Sequence, residues 1–269
     1  MEPSVFRRKI KAYYRSHGRD FAWRQTRDPY RILVSEIMLQ QTQTERVIAF
    51  YERFTKRFPD LATLARSKQS EVLRAWQGLG YNRRALSLWR LAKIVVRDHR
   101  GKLPRERAAL EALPGIGPYT AGAVRAFAWG EPEIFIETNI RRVFIHFFFS
   151  RRRGVSDKEL VPLIERTLDR KDPRAWYAAL MDYGAMLGIS AKSGKNPNRR
   201  SAHYVRQAKF SGSDRELRGK ILRLVLARKK MKLDEVAAVI PVPRARIAKI
   251  ATALLREGFF KNKEDTFSL

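Results

Sequence analysis

Apolar residues recur at the three- and four-residue spacing of a helix through most of this 269-residue sequence. Strand-like alternation of apolar and polar residues is scarce. An amphipathic helix must bury its apolar face, so a chain built from such segments folds by packing helices on helices. With 44% hydrophobic residues the chain can form a sizeable core. The sequence therefore predicts an all-α fold.

The chain is strongly basic, with 56 Lys and Arg against 27 Asp and Glu, a net charge of +29 and a pI near 11.0. A charge of this size predicts a polyanionic partner. The alternatives are a highly solvated surface or a membrane surface, but no lipidation signal or basic amphipathic anchor stands out. No segment reaches the roughly 18 apolar residues of a spanning helix, and the amino terminus lacks a signal-like apolar core. The absence of cysteine excludes disulfides and thiolate-held clusters.

Turn and cap signals indicate how the chain is divided. The segment 191–209 is rich in Gly, Asn, Ser and Pro and carries six basic residues without an acid, which is typical of a linker. Before it, helices are predicted over 138–149, 156–168 and 173–187. The predicted domains are residues 1–190, a basic linker at 191–212 and a C-terminal domain at 213–269.

The C-terminal domain has a pattern of its own. Short helices are predicted over 214–229, 232–239 and 243–257, and the last segment, FFKNKEDTFSL, could form a hairpin. Three helices, the third of them basic, followed by a hairpin are typical of a winged helix-turn-helix. A plain helical packing module is the alternative.

The segment LPGIGPYT contains two glycines just before a predicted helix. We expect Gly115 and Gly117 to permit positive φ angles and to leave backbone N–H groups unshielded. Pro118 is compatible with the first turn of the following helix. Exposed amides and a helix N-terminus suit a phosphate, so the segment predicts a helix-hairpin-helix that binds a DNA backbone without reading sequence. An ordinary turn is the alternative.

Two carboxylates are candidates for catalysis. Glu36 is embedded in the apolar segment ILVSEIML, where burial would raise its pKa and keep it protonated as a general acid. The alternative places it on the polar side of an amphipathic helix. Glu137 precedes Thr138 and Asn139, where a simple helix cap is the alternative. The two carboxylates can converge only through tertiary structure.

Five motifs in order, from about Trp23 to about Lys192, resemble the helix-hairpin-helix (HhH-GPD) DNA glycosylase superfamily and, within it, the MutY-type adenine DNA glycosylases. They are SEIMLQQTQ, GLGYNRRALSL, LPGIGPYTAGAVRAFAWG, IETNIRRV and MDYGAMLG. The resemblance implies an all-α, two-lobed fold that binds DNA and flips the target base out of the duplex. It also implies that Glu36 protonates the departing adenine, and that Asn139 lies near the catalytic site. Glu137 occupies the position of a family aspartate that stabilises the sugar cation.

Further roles follow from the same resemblance. Gln41 and Tyr81 match residues that wedge into the duplex, and a monovalent cation could bind at the hairpin carbonyls of Leu113 and Gly115. Tyr119 occupies the position of a Schiff-base lysine in bifunctional relatives such as endonuclease III, so the enzyme is expected to be monofunctional. The residues expected to bind DNA are Gln40, Gln41, Thr42, Tyr81, Arg83, Gly115, Gly117, Tyr119, Lys195, Arg199 and Arg200.

The sequence departs from this family in two places. The four cysteines of the family's iron–sulfur cluster are missing, so no cofactor is expected, and the family's C-terminal domain for 8-oxoguanine recognition has no counterpart. We therefore expect a monomeric, monofunctional glycosylase that acts on mispaired duplex DNA, with adenine opposite 8-oxoguanine or guanine as the first-choice substrate. A thymine or uracil mismatch glycosylase and a catalytically silent damage-binding protein are the alternatives. In a prokaryote the protein is expected in the cytoplasm, associated with the nucleoid.

Overall fold

The computed structural model describes residues 1–190, 196–206, 209–263 and 266–268. The chain forms two compact units, each assembled from separate stretches of sequence. The first unit comprises Met1–Glu36, Arg105–Ala112 and Ile116–Arg206. The second comprises Ile37–Pro104, Leu113–Gly115 and Gln207–Leu269. The C-terminal residues thus belong to the same unit as Ile37–Pro104.

Helices dominate the described part of the chain, which confirms the predicted all-α class. Short helical turns also occur at Ala22–Arg24, Arg125–Trp129 and Pro197–Arg200. No helix in the described stretches is long and apolar enough to cross a membrane. The helices are α1 (Pro3–His17), α2 (Pro29–Leu39), α3 (Thr44–Arg57), α4 (Leu61–Arg66), α5 (Gln69–Trp76), α6 (Arg83–Asp98), α7 (Arg107–Glu111), α8 (Pro118–Val124), α9 (Thr138–Phe148), α10 (Asp157–Thr167), α11 (Pro173–Ser190), α12 (Asp214–Arg228), α13 (Leu233–Val239) and α14 (Arg244–Arg256).

The first unit is built around an aromatic core. The ring of Phe6 on α1 lies 5.2 Å from that of Phe144 on α9 and 5.9 Å from that of Trp176 on α11. All three side chains are buried. Edge and tilted contacts of this kind add to the free energy of burying the rings. These helices therefore provide a rigid support for residues at the start of α9.

Helices α9 and α11 cross closely because α11 carries glycine at the crossing. A Cβ on Gly184 would overlap the backbone of Asn139. A Cβ on Gly188 would meet the guanidinium of Arg142. The motif MDYGAMLG therefore serves helix packing next to the first residues of α9.

The second unit contains the C-terminal helices α12, α13 and α14 with a small antiparallel sheet. Its strands are β1 (Lys230–Lys232), β2 (Lys261–Lys263) and β3 (Thr266–Ser268), in the order β1-β3-β2. The predicted C-terminal hairpin is confirmed by the pairing of β2 with β3. Strand β1 was missed, because its three residues between two helices carry no periodic signal. This is the element order of a winged helix.

Gly184→Ala should lower the free energy of unfolding by about 1–3 kcal/mol, because its methyl group forces α9 and α11 apart. Gly219→Ala in α12 is the matched control, since a Cβ there meets nothing within 4 Å. That control should be neutral or stabilising by roughly 0.5–1 kcal/mol. Urea unfolding followed by far-UV circular dichroism measures both. Equal effects of the two substitutions would contradict the close crossing.

Candidate active site and DNA-binding residues

Helix α2 places Glu36 in an apolar environment. Asp28 Oδ1 accepts a hydrogen bond from the Tyr30 backbone N–H at 2.9 Å, so Asp28 caps the helix before Pro29. The side chains of Leu33 and Val34 are fully buried, and Glu36 itself is only 4% exposed. The alternative of a Glu36 on a solvated helix face is thereby excluded.

Tyr119, the second residue of α8, is the hydrogen-bond partner of Glu36. Its hydroxyl donates to Glu36 Oε2 at 2.5 Å, across 83 positions of sequence. Its ring lies edge-on to Phe135, with centroids 5.8 Å apart, and packs on the core of the first unit. The phenol oxygen therefore occupies the place beside Glu36 at which the resemblance would put an amine in bifunctional relatives.

Burial raises the pKa of Glu36 to about 7. The hydrogen bond from Tyr119 opposes this rise, the negative charge of Glu137 adds to it, and the positive charge of Arg24 opposes it. Burial also holds the pKa of Tyr119 well above its ordinary value, so the phenol stays protonated at neutral pH. A carboxyl with a pKa near 7 can give up a proton and regain it under physiological conditions.

Glu137 is the N-cap of α9. Its Oε1 accepts hydrogen bonds from the backbone N–H groups of Asn139 and Ile140 at 2.7 and 2.8 Å, and its Oε2 accepts one from the Asn139 amide at 3.3 Å. The capping interpretation is therefore correct. Loss of solvation raises the pKa of Glu137, and the two backbone bonds and the charges of Arg142 and Arg141 oppose that rise. The cap therefore fixes the position of a carboxylate whose negative charge raises the pKa of Glu36.

Asn139 is held in turn by Arg142. The guanidinium Nη1 donates to Asn139 Oδ1 at 2.7 Å and to the Gly184 carbonyl at 2.6 Å. The glycine-bearing face of α11 makes room for this guanidinium. Glu137, Asn139 and Arg142 thus form one hydrogen-bonded chain, and Arg142 is a member that sequence analysis missed.

A second missed residue is Asp182, which is buried in α11. Its carboxylate accepts bonds of 2.8 Å from the backbone and side chain of Arg19 and from both terminal nitrogens of Arg24. These bonds hold the pKa of Asp182 below its ordinary value although burial acts the other way. Arg24 is the cation whose charge reaches Glu36, so Asp182 anchors part of the site's electrostatics. The acid between two apolar residues in LMDYG was the available signal.

The hairpin before α8 differs from its prediction in one respect. Gly115 has a φ of 84°, and a Cβ there would lie 2.7 Å from the Cβ of Ser87, so both conformation and space require glycine. Gly117 was expected to use positive φ, and this is wrong: its φ is −104° and it is the N-cap of α8, with Pro118 in the first turn. Leu113 is buried. A phosphate or cation at the hairpin stays a prediction.

Gln41 and Tyr81, the predicted wedge residues, both have left-handed backbone angles, with φ of 54° and 49°. Such angles cost energy in residues other than glycine and cluster at functional sites. Both belong to the second unit, in the loops after α2 and before α6. The strain marks these two loops as candidates for DNA contact.

The guanidinium of buried Arg84 holds the loop after α2. Sequence analysis did not identify Arg84 and selected its neighbour Arg83 instead. Its guanidinium donates to the carbonyls of Ile37, Met38 and Gln40 at 2.6–2.8 Å and to the Thr42 hydroxyl at 3.0 Å. These groups include orphan carbonyls at the end of α2. Burial lowers the pKa of Arg84 to about 10, so the guanidinium is still charged at neutral pH.

Arg83, the neighbour that was predicted to bind DNA, is exposed and forms an ion pair with Glu257 at 2.6 Å. Five of the six predicted DNA-binding residues of the second unit line one cavity of about 1010 Å³, namely Gln40, Gln41, Thr42, Tyr81 and Arg83. Gly115 is the predicted residue of this unit that does not line it.

The basic linker is held without cysteine. Asn198 is buried and donates to the Thr138 carbonyl at 3.0 Å, and a parallel bridge joins Val155 to Ser201. The residues present do not fit the family's thiolate-held cluster, because thiolates are its ligands and the chain has none. Hydrogen bonds to α9 and to the segment before α10 fix the described part of this linker instead.

The three basic linker residues that were predicted to bind DNA differ in their environments. Arg199 is exposed, whereas Arg200 is half-buried and donates to the Ile145 carbonyl of α9 at 3.4 Å. Lys195 lies outside the described residues. A phosphate-binding role at this linker stays a prediction.

The family model described as "HhH-GPD superfamily base excision DNA repair protein" matches residues 34–166. An adenine DNA glycosylase from Mycobacterium tuberculosis is 33% identical over 88% of this chain and 81% of its own length. A thymine/uracil-DNA glycosylase from Methanothermobacter thermautotrophicus is 33% identical over 68% of this chain and 84% of its own length. Against an adenine DNA glycosylase from Buchnera aphidicola, 35% identical, the chain spans only 55% of the relative's length.

A solved structure of a thermostable thymine-DNA glycosylase superposes with a TM-score of 0.62 and 32% identity, over 68% of this chain and 86% of that one. A non-covalent complex of endonuclease III with DNA shares the fold, with a TM-score of 0.57 and 18% identity over 67% and 85% of the two chains. The chain belongs to the HhH-GPD superfamily of base excision DNA repair proteins, and it is a DNA glycosylase of that superfamily.

Proposed function

We propose that the protein is a monofunctional DNA glycosylase that hydrolyses the N-glycosidic bond of a flipped, mispaired base. Adenine opposite 8-oxoguanine or guanine is the proposed substrate. The observation that carries the proposal is the buried carboxyl of Glu36, whose pKa near 7 suits a general acid. The charge of +29 supports a DNA partner.

The proposed reaction gives each of the two carboxylates a separate task. As the C1′–N bond breaks, its electron pair leaves with the base, and the protonated Glu36 donates its proton to that base. The cation left on the sugar is stabilised by the carboxylate of Glu137, which the N-terminus of α9 holds in place. Water then adds to C1′ and gives up a proton, which restores the acid form of the site.

Tyr119 supports hydrolysis over strand cleavage. A β-lyase route needs an amine that attacks C1′ and forms an imine, and a phenol cannot form one. The Tyr119 hydroxyl instead donates a hydrogen bond to Glu36. The proposed product is an abasic site in an unbroken strand.

Two classes of base are candidates for excision. The glutamines Gln40 and Gln41 before Thr42 favour the adenine branch, and the Mycobacterium relative is named for adenine. A second candidate is thymine or uracil in a mismatch, favoured by the thymine/uracil-DNA glycosylase relative and by the superposed thymine-DNA glycosylase. Both candidates use the same acid and the same cation-stabilising carboxylate.

Labelled duplexes containing A:8-oxoG, A:G, T:G, U:G and hypoxanthine pairs test the proposal. We expect base release from the adenine duplexes, with strand breaks only after alkali. Glu36→Gln should lower the single-turnover rate by roughly 10²- to 10⁴-fold while DNA binding is kept. The matched control is Glu52→Gln, which neutralises an exposed carboxylate and should act like the wild type. Tight binding without release of any base would instead identify a silent damage-binding protein.

The pH dependence of base release tests the link between Tyr119 and Glu36. The proton-donating form of Glu36 exists below its pKa of about 7 and is lost as the pH rises through that value, so the rate should fall on the alkaline side. Tyr119→Phe removes a bond that lowers this pKa. The alkaline limb should therefore move up by about one pH unit.

Tyr177→Phe is the control for that experiment. Its hydroxyl donates to the Glu133 carbonyl, and its ring is buried on Phe135 in the same unit. Because it does not touch Glu36, its pH profile should match the wild type. An alkaline limb that stays fixed, or moves down, in Tyr119→Phe would refute the link.

A further inference from the structure

The cavity of about 1010 Å³ lies within the second unit. The loop after α2, the loop between α5 and α6, and helix α12 of the C-terminal domain all contribute to its walls. Glu257 is the single acidic residue among the described lining residues. Six arginines line it: Arg46, Arg83, Arg84, Arg215, Arg218 and Arg223. Even with Arg83 and Arg218 both bonded to Glu257, the walls keep a large positive excess that favours an anionic occupant.

The other side chains that line the cavity provide groups that can bind the base and the phosphates of one nucleotide. Gln41, Gln43 and Gln77 provide amide edges that can donate to and accept from a base. Tyr81 provides an aromatic ring on which a base can stack. Guanidinium groups recognise phosphodiester oxygens. The cavity therefore combines contacts for a base with contacts for its phosphates.

Helix α12 acts directly on Tyr81. Arg215 Nη1 donates to the Tyr81 hydroxyl at 2.8 Å, and its guanidinium carbon lies 6.0 Å from the ring centroid. The guanidinium of Arg84 lies 5.4 Å from the same centroid. Tyr81 has a left-handed backbone, a strained conformation that persists only where surrounding contacts hold it. The C-terminal domain thus helps to fix the residue that the family resemblance assigns to the wedge.

The other basic helix of the C-terminal domain is less suited to a phosphate. In α14, Arg244 is paired with Asp234 at 2.7 Å. Arg246 is paired with Asp214 at 2.7 Å and also donates to the Gly212 carbonyl. A phosphate would have to displace these carboxylates. By contrast, Arg223 on α12 is exposed at the cavity.

We propose that the C-terminal domain is part of the DNA-binding surface through the arginines of α12 and not through those of α14. Arg215 is a positioning residue for Tyr81, and Arg223 binds the phosphodiester of the nucleotide that is left unpaired opposite the flipped base and occupies the cavity. The ligand class, duplex DNA with a displaced nucleotide, rests on the proposed function. The C-terminal domain would then take part in DNA recognition by the glycosylase.

Binding to a duplex with an abasic-site analogue, followed by fluorescence anisotropy over a range of salt concentrations, tests this without catalysis. Arg215→Ala/Arg223→Ala should weaken binding by about tenfold or more and reduce the slope of log K against log salt by about one, because only Arg223 binds a phosphate. Arg223→Ala alone changes an exposed side chain, should leave folding intact, and should reduce the slope by about one. The matched control, Arg244→Ala/Arg246→Ala, should change the affinity by less than about threefold.

A 2-aminopurine placed opposite the abasic site reports on Tyr81. Wild-type protein should change its fluorescence, Arg215→Ala should lose at least half of that change, and Arg215→Lys should restore part of it. Unchanged affinity and salt slope in the α12 variants, or an equal loss in the α14 variant, would overturn the proposal. A wild type that binds through α12 but releases no base would refute the proposed activity and leave this inference standing.

Discussion

The removal of one carboxyl from water is the constraint on which the site depends. Glu36 lies on α2 between side chains that are fully buried, so its charge is costly and its pKa rises to about 7. The hydroxyl of Tyr119 partly compensates for the lost water. Tyr119 reaches Glu36 because it is the second residue of α8. That helix begins at Pro118, directly after the hairpin at Gly115 and the N-cap at Gly117.

The second carboxylate, that of Glu137, is also fixed by hydrogen bonds that belong to the fold. Glu137 satisfies two backbone N–H groups of α9 and is therefore both a structural cap and a fixed negative charge. Its neighbour Asn139 is held by Arg142, which lies in the space left by Gly184 and Gly188.

In the second unit, buried Arg84 has a comparable role, because it binds the carbonyls at the end of α2 and so positions the loop that carries Gln41.

Local signals predicted much of this. Helical periodicity and caps located α9 to α14 to within a few residues, and the apolar sequence around Glu36 predicted its burial. The sequence does not show which residues that are distant along the chain form hydrogen bonds with each other. The bonds of Tyr119 to Glu36, of Arg84 to Thr42 and of Arg24 to Asp182 join residues that are 83, 42 and 158 positions apart. Arginine in a chain with this much positive charge gives no signal of burial, which explains why Arg83 was chosen over Arg84.

The protonation of Glu36, which we expect to be half complete near neutral pH in the folded protein, can be measured directly. A carboxyl-carbon NMR titration of glutamate-labelled protein, with Glu36→Gln to assign the resonance, gives its pKa. We expect a midpoint near 7, well separated from the exposed glutamates. A midpoint near 4.5, the ordinary value for glutamate, would contradict it.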